Sequence, residues 1–258
     1  MKVTIRNKSD GSIICTGEYA SLLNAVETHR VCGADLRGAD LRKANLCEKK
    51  LNGVDLRGAF LNEAELSKAE LQDADLRGAE LRRAYLHEAN LSGARLDKAD
   101  LYQSFLWGAD LSYASLEEAN LSMTDLSHNN LTSANLRRAN LRNANLRFTK
   151  LVNANLSNVD FRGADLCGAD LHGADLSGTE LIDAGIDQRG FNFRAILSEE
   201  NILVIQAGCR IFKGLQSALA YPYAQEFNNP TLTAESLAKV QYLAAVAKLR
   251  GWKLDLNE

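Results

Sequence analysis

No stretch of this 258-residue chain approaches the roughly eighteen consecutive apolar residues that a membrane-spanning helix needs. Met1-Lys2-Val3-Thr4-Ile5-Arg6 runs straight into polar sequence without an apolar core, so no secretion signal is read and a cytoplasmic setting is expected. The five cysteines, Cys15, Cys32, Cys47, Cys167 and Cys209, are odd in number and share no ligand spacing, which predicts reduced thiols and no metal site. A phosphate loop, a nucleophile elbow and a His-Glu-x-x-His pair are all missing, and nothing calls for a cofactor. Charge of one sign is also scarce. The net charge is −3, with 24 acids against 18 bases within 34–188 and 9 against 12 outside it. That balance points to neither a membrane nor a nucleic-acid partner.

What the chain has instead is a period. From Leu36 to Ile186 a large apolar residue occupies every fifth position, thirty-one times without insertion or deletion, and only Phe161 and Ile186 are not leucine. Two positions earlier stands alanine or another small residue, so the unit reads Ala-Asp/Asn-Leu-X-X. A period of five fits neither an α-helix nor a plain strand, and a fixed short period marks a solenoid.

Thirty-one Ala-Asp/Asn-Leu-X-X units in register resemble the pentapeptide-repeat family over 34–188. The resemblance implies an all-β solenoid, a right-handed four-sided β-helix in which four units make one coil and residues twenty apart stack. Thirty-one units then give about 7.75 coils, a rod roughly 37 Å long at the usual strand spacing. Each coil alone cannot bury its apolar face, whereas stacked coils share a leucine column. Lys49 and Asn129 break the small-residue rule on one wall. Lys49 is expected to bulge outward with Cys47-Glu48-Lys49-Lys50, and Asn129 to bond backbone carbonyls inside.

Solenoid ends need covers. Residues 1–33 read as a capping unit: a hairpin over 3–15 turned at Asp10-Gly11, then an amphipathic helix from Ser21 to Val31. Residues 189–258 read as a small α+β region. Phe191–Ile196 and Ile202–Ile205 suit two strands, Lys213–Tyr221 a helix closed by Pro222, and a longer helix follows Thr233 and ends near Gly251. Around Ala207-Gly208-Cys209-Arg210 and Arg250-Gly251-Trp252 this tail resembles the C-terminal region of some phage and bacterial members of the family.

With stacking by twenties, the surface becomes legible. His29, His87, His128 and His172 are dispersed, and His87 and His128 are too far apart to share a metal. No convergent catalytic group emerges, so a non-enzymatic protein is expected. Tyr85 should lie under Phe105 and His87 under Trp107, with Tyr102 on the adjoining wall; such a cluster either stacks for stability or serves as a protein-binding surface. The bases Arg137, Arg138, Arg142, Arg147 and Lys150 form a belt on all four walls, which disfavours a nucleic-acid track. Beyond it stand Asp160, Asp165, Asp170 and Asp175. Some family members resemble duplex DNA in shape and charge and bind type II topoisomerases such as gyrase, so the resemblance implies these acids as an alternative site. The sequence thus points to an unidentified protein partner and leaves the oligomeric state open.

Overall fold

The computed structural model describes residues 2–6, 12–18, 26, 33–186, 192–197, 203–207, 210–213, 218, 230–250 and 252. Parallel bridges join residues twenty apart from Asp35↔Asp55 to Asn155↔Asp175, so the five-residue units wind into a four-sided β-helix. The walls are numbered here from wall 1, which holds Leu36, through walls 2, 3 and 4, which hold Leu41, Leu46 and Leu51; each recurs every twenty residues.

Each unit turns a corner in the same way. The N–H of the small residue donates to the preceding leucine carbonyl, as from Ala39 to Leu36 at 3.1 Å. The second corner residue takes positive φ, from 55° to 73°, at all thirty positions between 33 and 178, eleven of them glycine and nineteen not. A positive φ at the third residue of a four-residue turn is the type II signature. L-residues resist it, so the nineteen other side chains are held there by the stack above and below. The leucines point inward, and Leu41 through Leu166 on the repeat positions are essentially inaccessible, together with Phe161.

Cys47–Lys50 does not bulge. The Lys49 N–H donates to Leu46 at 3.2 Å and its carbonyl accepts from Glu70 at 2.9 Å, as in any regular unit. Its side chain is half-buried near the start of the stack, where a long aliphatic stem can lead the ammonium outward. Asn129 departs from expectation differently. Its Oδ1 accepts from the Ala109 N–H at 3.0 Å, while its buried Nδ2 has no partner among the described residues. Thr124 and Thr149, at equivalent small-residue positions, donate instead to carbonyls twenty-three residues back, Leu101 at 3.0 Å and Leu126 at 2.8 Å. The same geometry aims a threonine at 129 toward the Leu106 carbonyl. Asn129→Thr is therefore expected to raise stability by about 1–2 kcal/mol, by removing an orphaned donor. Urea unfolding of the two proteins checks this; an unchanged or lower midpoint would show that Nδ2 is already satisfied.

The described ends differ in kind. At the N-terminus β1 (Lys2–Arg6) pairs antiparallel with β2 (Ile13–Glu18), as expected, and the Asp10-Gly11 turn lies outside the described residues. Of the expected helix Ser21–Val31 only Val26 is described; it is helical and fully buried against the coil leucines. At the C-terminus β3 (Ile182–Ile186), β4 (Asn192–Leu197), β5 (Leu203–Ala207) and β6 (Arg210–Lys213) form an antiparallel meander. Ile186 keeps the five-residue spacing but lies in β3, paired with Asn192, and not in a further square turn. The cause is visible at Ile182: a corner position that would face solvent carries isoleucine, buried in a second core. Lys213, expected to open a helix, ends β6, and most of Lys213–Tyr221 lies outside the described residues.

Helix α1 (Pro230–Leu249) begins before Thr233, with proline at its first position, where a missing N–H costs nothing. Its Val240, Leu243 and Ala247 pack with Phe193, Ala195, Leu203 and Ile205. Alternation sends the opposite face of β4 and β5 to the solenoid, where Ile196 and Val204 join the leucine core. On that face Arg194 donates to the carbonyls of Leu166 and Ala169, at 2.8 and 2.7 Å. The Gln206 amide donates to the Ala164 carbonyl at 2.9 Å and accepts from the Leu166 N–H at 3.2 Å. One coil earlier those ladder bonds go to backbone: Leu146 donates to Asp165, and Asp165 donates to Ala144. Gln206 thus stands where the peptide group of the next coil would be.

Candidate functional site

The β-helix exposes side chains in columns whose spacing is fixed by backbone bridges. Along the middle of wall 3 the rings of Tyr85 and Phe105 stack, with centroids 5.2 Å apart and planes 11° from parallel. His87 leans toward both, at 6.4 and 6.1 Å. The coil carrying Trp107 does lie over that of His87, as the 3.0 Å bond from Glu88 N–H to the Trp107 carbonyl shows. The ring partner of Trp107, however, is His128 at 6.2 Å, and His128 stacks in turn on Phe148 at 5.2 Å. Arg147 lies over the Phe148 ring, 5.7 Å from its centroid. These residues climb the corner between walls 3 and 4. Gly168 completes that corner, since a Cβ there would fall 2.5 Å from Phe148 Cδ1.

Tyr102 sits at the corner between walls 2 and 3, and its hydroxyl lies 3.3 Å from Met123 Sδ. Met123 belongs to the corner column Glu63, Arg83, Gln103, Met123, which with Tyr85 and Phe105 lines a groove of about 510 Å³. The structure therefore brings Tyr85, His87 and Phe105 into one group, places Trp107 in a second group that continues up the corner from His87, and sets Tyr102 beside the groove. His128, Phe148 and Met123 escaped the sequence reading. His128 and Phe148 stand twenty apart, so the rule that paired Tyr85 with Phe105 would have found them; the diagonal from Trp107 to His128 obeys no such rule.

Tyr85, Phe105, Trp107 and Phe148 are 39–48% exposed. By contrast Phe60 and Tyr113 stand on other parts of the solenoid and need no such explanation, because single exposed apolar residues are ordinary. Apolar side chains grouped on a surface are the arrangement found in binding hot spots, and here ladder hydrogen bonds hold the backbone beneath them.

Charge is largely paired. On wall 1 Arg37, Arg57 and Arg77 each form a two-pronged bond with the aspartate two residues back, at 2.6 to 2.9 Å. The Arg37 guanidinium holds Asp35 below the usual carboxylate range. Burial pushes Asp55 and Asp75 the other way, but their arginines still hold them low. Asp40, bonded by Arg42 on wall 2, falls to about 2.

The acids Asp160, Asp165, Asp170 and Asp175 occupy the four walls in turn, as a ring around one coil. Asp160 is bonded by Arg162, with Arg142 at 3.9 Å, and Asp165 by Arg147 at 3.0 Å. Asp170 and Asp175 accept from the backbone N–H groups of His172 and Ser177, at 3.0 and 2.9 Å. Asp160 is thus paired chiefly by Arg162 of its own coil, and Asp165 by Arg147 of the basic belt beneath. Among the described residues no group of three or more His, Cys, Asp or Glu is placed to hold a metal. No helix among them is long and apolar enough to cross a membrane. Contrary to the expectation of reduced thiols, Cys167 is disulfide-bonded, to a partner outside the described side chains; Cys47 is free.

Compared with known proteins, the chain matches the family model described as pentapeptide repeats, in eight copies, at residues 32–67, 50–83, 69–108, 109–147 and 149–184. Among solved structures it is similar to the pentapeptide-repeat protein Rfr23 from the cyanobacterium Cyanothece 51142, at 44% identity and a TM-score of 0.34. That match covers 35% of this chain and 62% of Rfr23, less than two thirds of its length. HetL, involved in heterocyst differentiation regulation in Nostoc sp. strain PCC 7120, is 34% identical over 58% of this chain and 81% of its own, with a TM-score of 0.27. QnrB1, a plasmid-mediated fluoroquinolone resistance protein, is 22% identical over 56% of this chain and 71% of its own, with a TM-score of 0.36. No curated protein matches.

Proposed function

The chain belongs to the pentapeptide-repeat family, whose members fold as right-handed β-helices, and from that premise we propose that it is a non-enzymatic scaffold presenting wall 3 to a protein partner. One observation carries the reading. Tyr85, Phe105, Trp107 and Phe148 are large, partly exposed rings on one wall and its corner, set by bridges every twenty residues. Because ladder hydrogen bonds hold the backbone of the wall, binding there needs little ordering of the main chain. Tyr85, His87, Tyr102, Phe105 and Trp107 form this surface, extended by His128 and Phe148.

The test is capture from native cytosol by the whole protein, beside the double variant Phe105→Ala/Trp107→Ala, with purified type II topoisomerase as a separate bait partner. Both residues are exposed, so the circular dichroism spectrum is expected to stay unchanged while the captured partner is lost. A partner retained by the double variant would remove wall 3 from the function. Retention of a topoisomerase in particular would move the site to the acids Asp160, Asp165, Asp170 and Asp175.

A further inference from the structure

Arginine in this solenoid is almost always neutralised. Of the twelve arginines between residues 34 and 186, eleven have a carboxylate oxygen within 3.9 Å. The exception is Arg83, whose Nε donates to the Gln103 side-chain oxygen at 3.2 Å. It has no ion pair among the described residues. Its position is also distinctive: Arg83 lines the groove whose other side is the Tyr85–Phe105 stack and whose upper edge is Met123. The acid of the groove, Glu63, is already engaged by Lys43 at 3.5 Å. The neighbouring bases Arg82 and Lys68 are paired with Asp100 and Glu88. Among its lining residues the groove therefore carries one cation without an ion pair, beside a polarisable thioether and two stacked rings whose column continues to Glu65 below and Asp125 above.

We infer that this groove binds an acidic segment of a protein partner, one that presents a carboxylate to Arg83 and an apolar side chain to the Tyr85–Phe105 rings. A guanidinium binds a carboxylate through two parallel N–H bonds, so one arginine both orients and selects. The stacked rings supply apolar contact within a few ångströms of that charge, and Met123 adapts to the shape of what lies against it. A nucleic acid fits this groove less well, since tracking phosphates needs a row of unpaired cations and here there is one. The volume of about 510 Å³ suits a few side chains, which matches a short segment. The inference rests on the reading of wall 3 as a protein-binding surface and adds the chemistry of what is bound there.

The probe is the fluorescein-labelled peptide acetyl-Asp-Phe-Asp-Leu-Asp-amide, titrated with the full chain by fluorescence anisotropy, beside its Asn and Lys counterparts. The acidic peptide is expected to bind at least about tenfold more tightly than either counterpart, and less tightly as salt rises. Arg83→Gln should weaken it about tenfold, with Arg83→Lys between the two, because the ammonium keeps the charge and loses the fork. Arg83 is exposed, so the fold should survive both changes, which circular dichroism verifies. Equal binding of the acidic and Asn peptides, no loss in Arg83→Gln, or no binding of any peptide would each overturn the inference. Phe105→Ala separates it from the broader reading. If that variant loses the native partner while Arg83→Gln keeps it, wall 3 remains the binding surface and the acidic segment is wrong.

Discussion

Arg194→Ala lowers the unfolding free energy by about 3–5 kcal/mol, the scale for removing one member of a buried charged network. Arg194 is 2% exposed and reaches from β4 to two carbonyls at the end of the coil stack. In a continuing solenoid the Ala169 carbonyl would be met by the N–H of the next coil, but the coils stop. Alanine would leave that carbonyl without its charged donor and open a cavity between the sheet and the leucine column. The loss is partly offset, because a buried guanidinium no longer has to be desolvated. Arg194→Lys should fall between, since one ammonium cannot bridge both carbonyls as the planar fork does. Urea unfolding followed by circular dichroism reads both variants. A midpoint unchanged in Arg194→Ala would mean that the sheet does not stabilise the coil end.

Leu106→Asp is the second large effect, with an expected cost above about 5 kcal/mol, the range reserved for a buried unpaired charge. Leu106 is wholly inaccessible, between Leu86 below and Leu126 above. A carboxylate in such a place must protonate or expel itself, and either route breaks a coil. Because every coil supports only its neighbours, the damage should spread along the stack. Leu176→Asp makes the comparison, at a partly buried position in the last turns. There the cost should be about 1–2 kcal/mol, as for ordinary substitutions. Equal loss at both sites would show that the column is not graded from centre to end.

Much of the solenoid could be read from spacing alone, because one rule sets one geometry. The interval of twenty places Tyr85 under Phe105 and the Asp35, Asp55, Asp75 column beside its arginines, and the bridges follow it throughout. Period five was less sufficient at the far end. Ile186 satisfies it, yet Ile182 four residues earlier supplies apolar surface on the wrong side, and the chain leaves the coil for β3. The end contacts were hidden for a different reason. Arg194 and Gln206 meet coil residues 25 to 42 positions away, through a sheet whose placement no local pattern specifies. Both alternate with apolar neighbours, Phe193 and Ala195 on one side and Ile205 and Ala207 on the other. That pattern marks a two-faced strand without saying what lies on each face. At the candidate site, the columns were legible and the diagonal contacts were not. Trp107 meets His128 across a corner, where the direction of each side chain decides, and sequence spacing does not.

A square coil makes length and rotation separate properties. Duplicating twenty residues would lengthen the rod by one storey and keep every downstream column in phase. Duplicating five would turn everything beyond it by a quarter revolution. An event of that kind between Trp107 and His128 would part the two rings although each stayed on its own well-formed coil. The C-terminal sheet would turn as well, since Arg194 and Gln206 are keyed to Ala164, Leu166 and Ala169 at the coil end. Wall 3 and the sheet are thus geared together like marks on one shaft. The direction in which the capped end faces, relative to whatever wall 3 holds, is set by the count of pentapeptides between them.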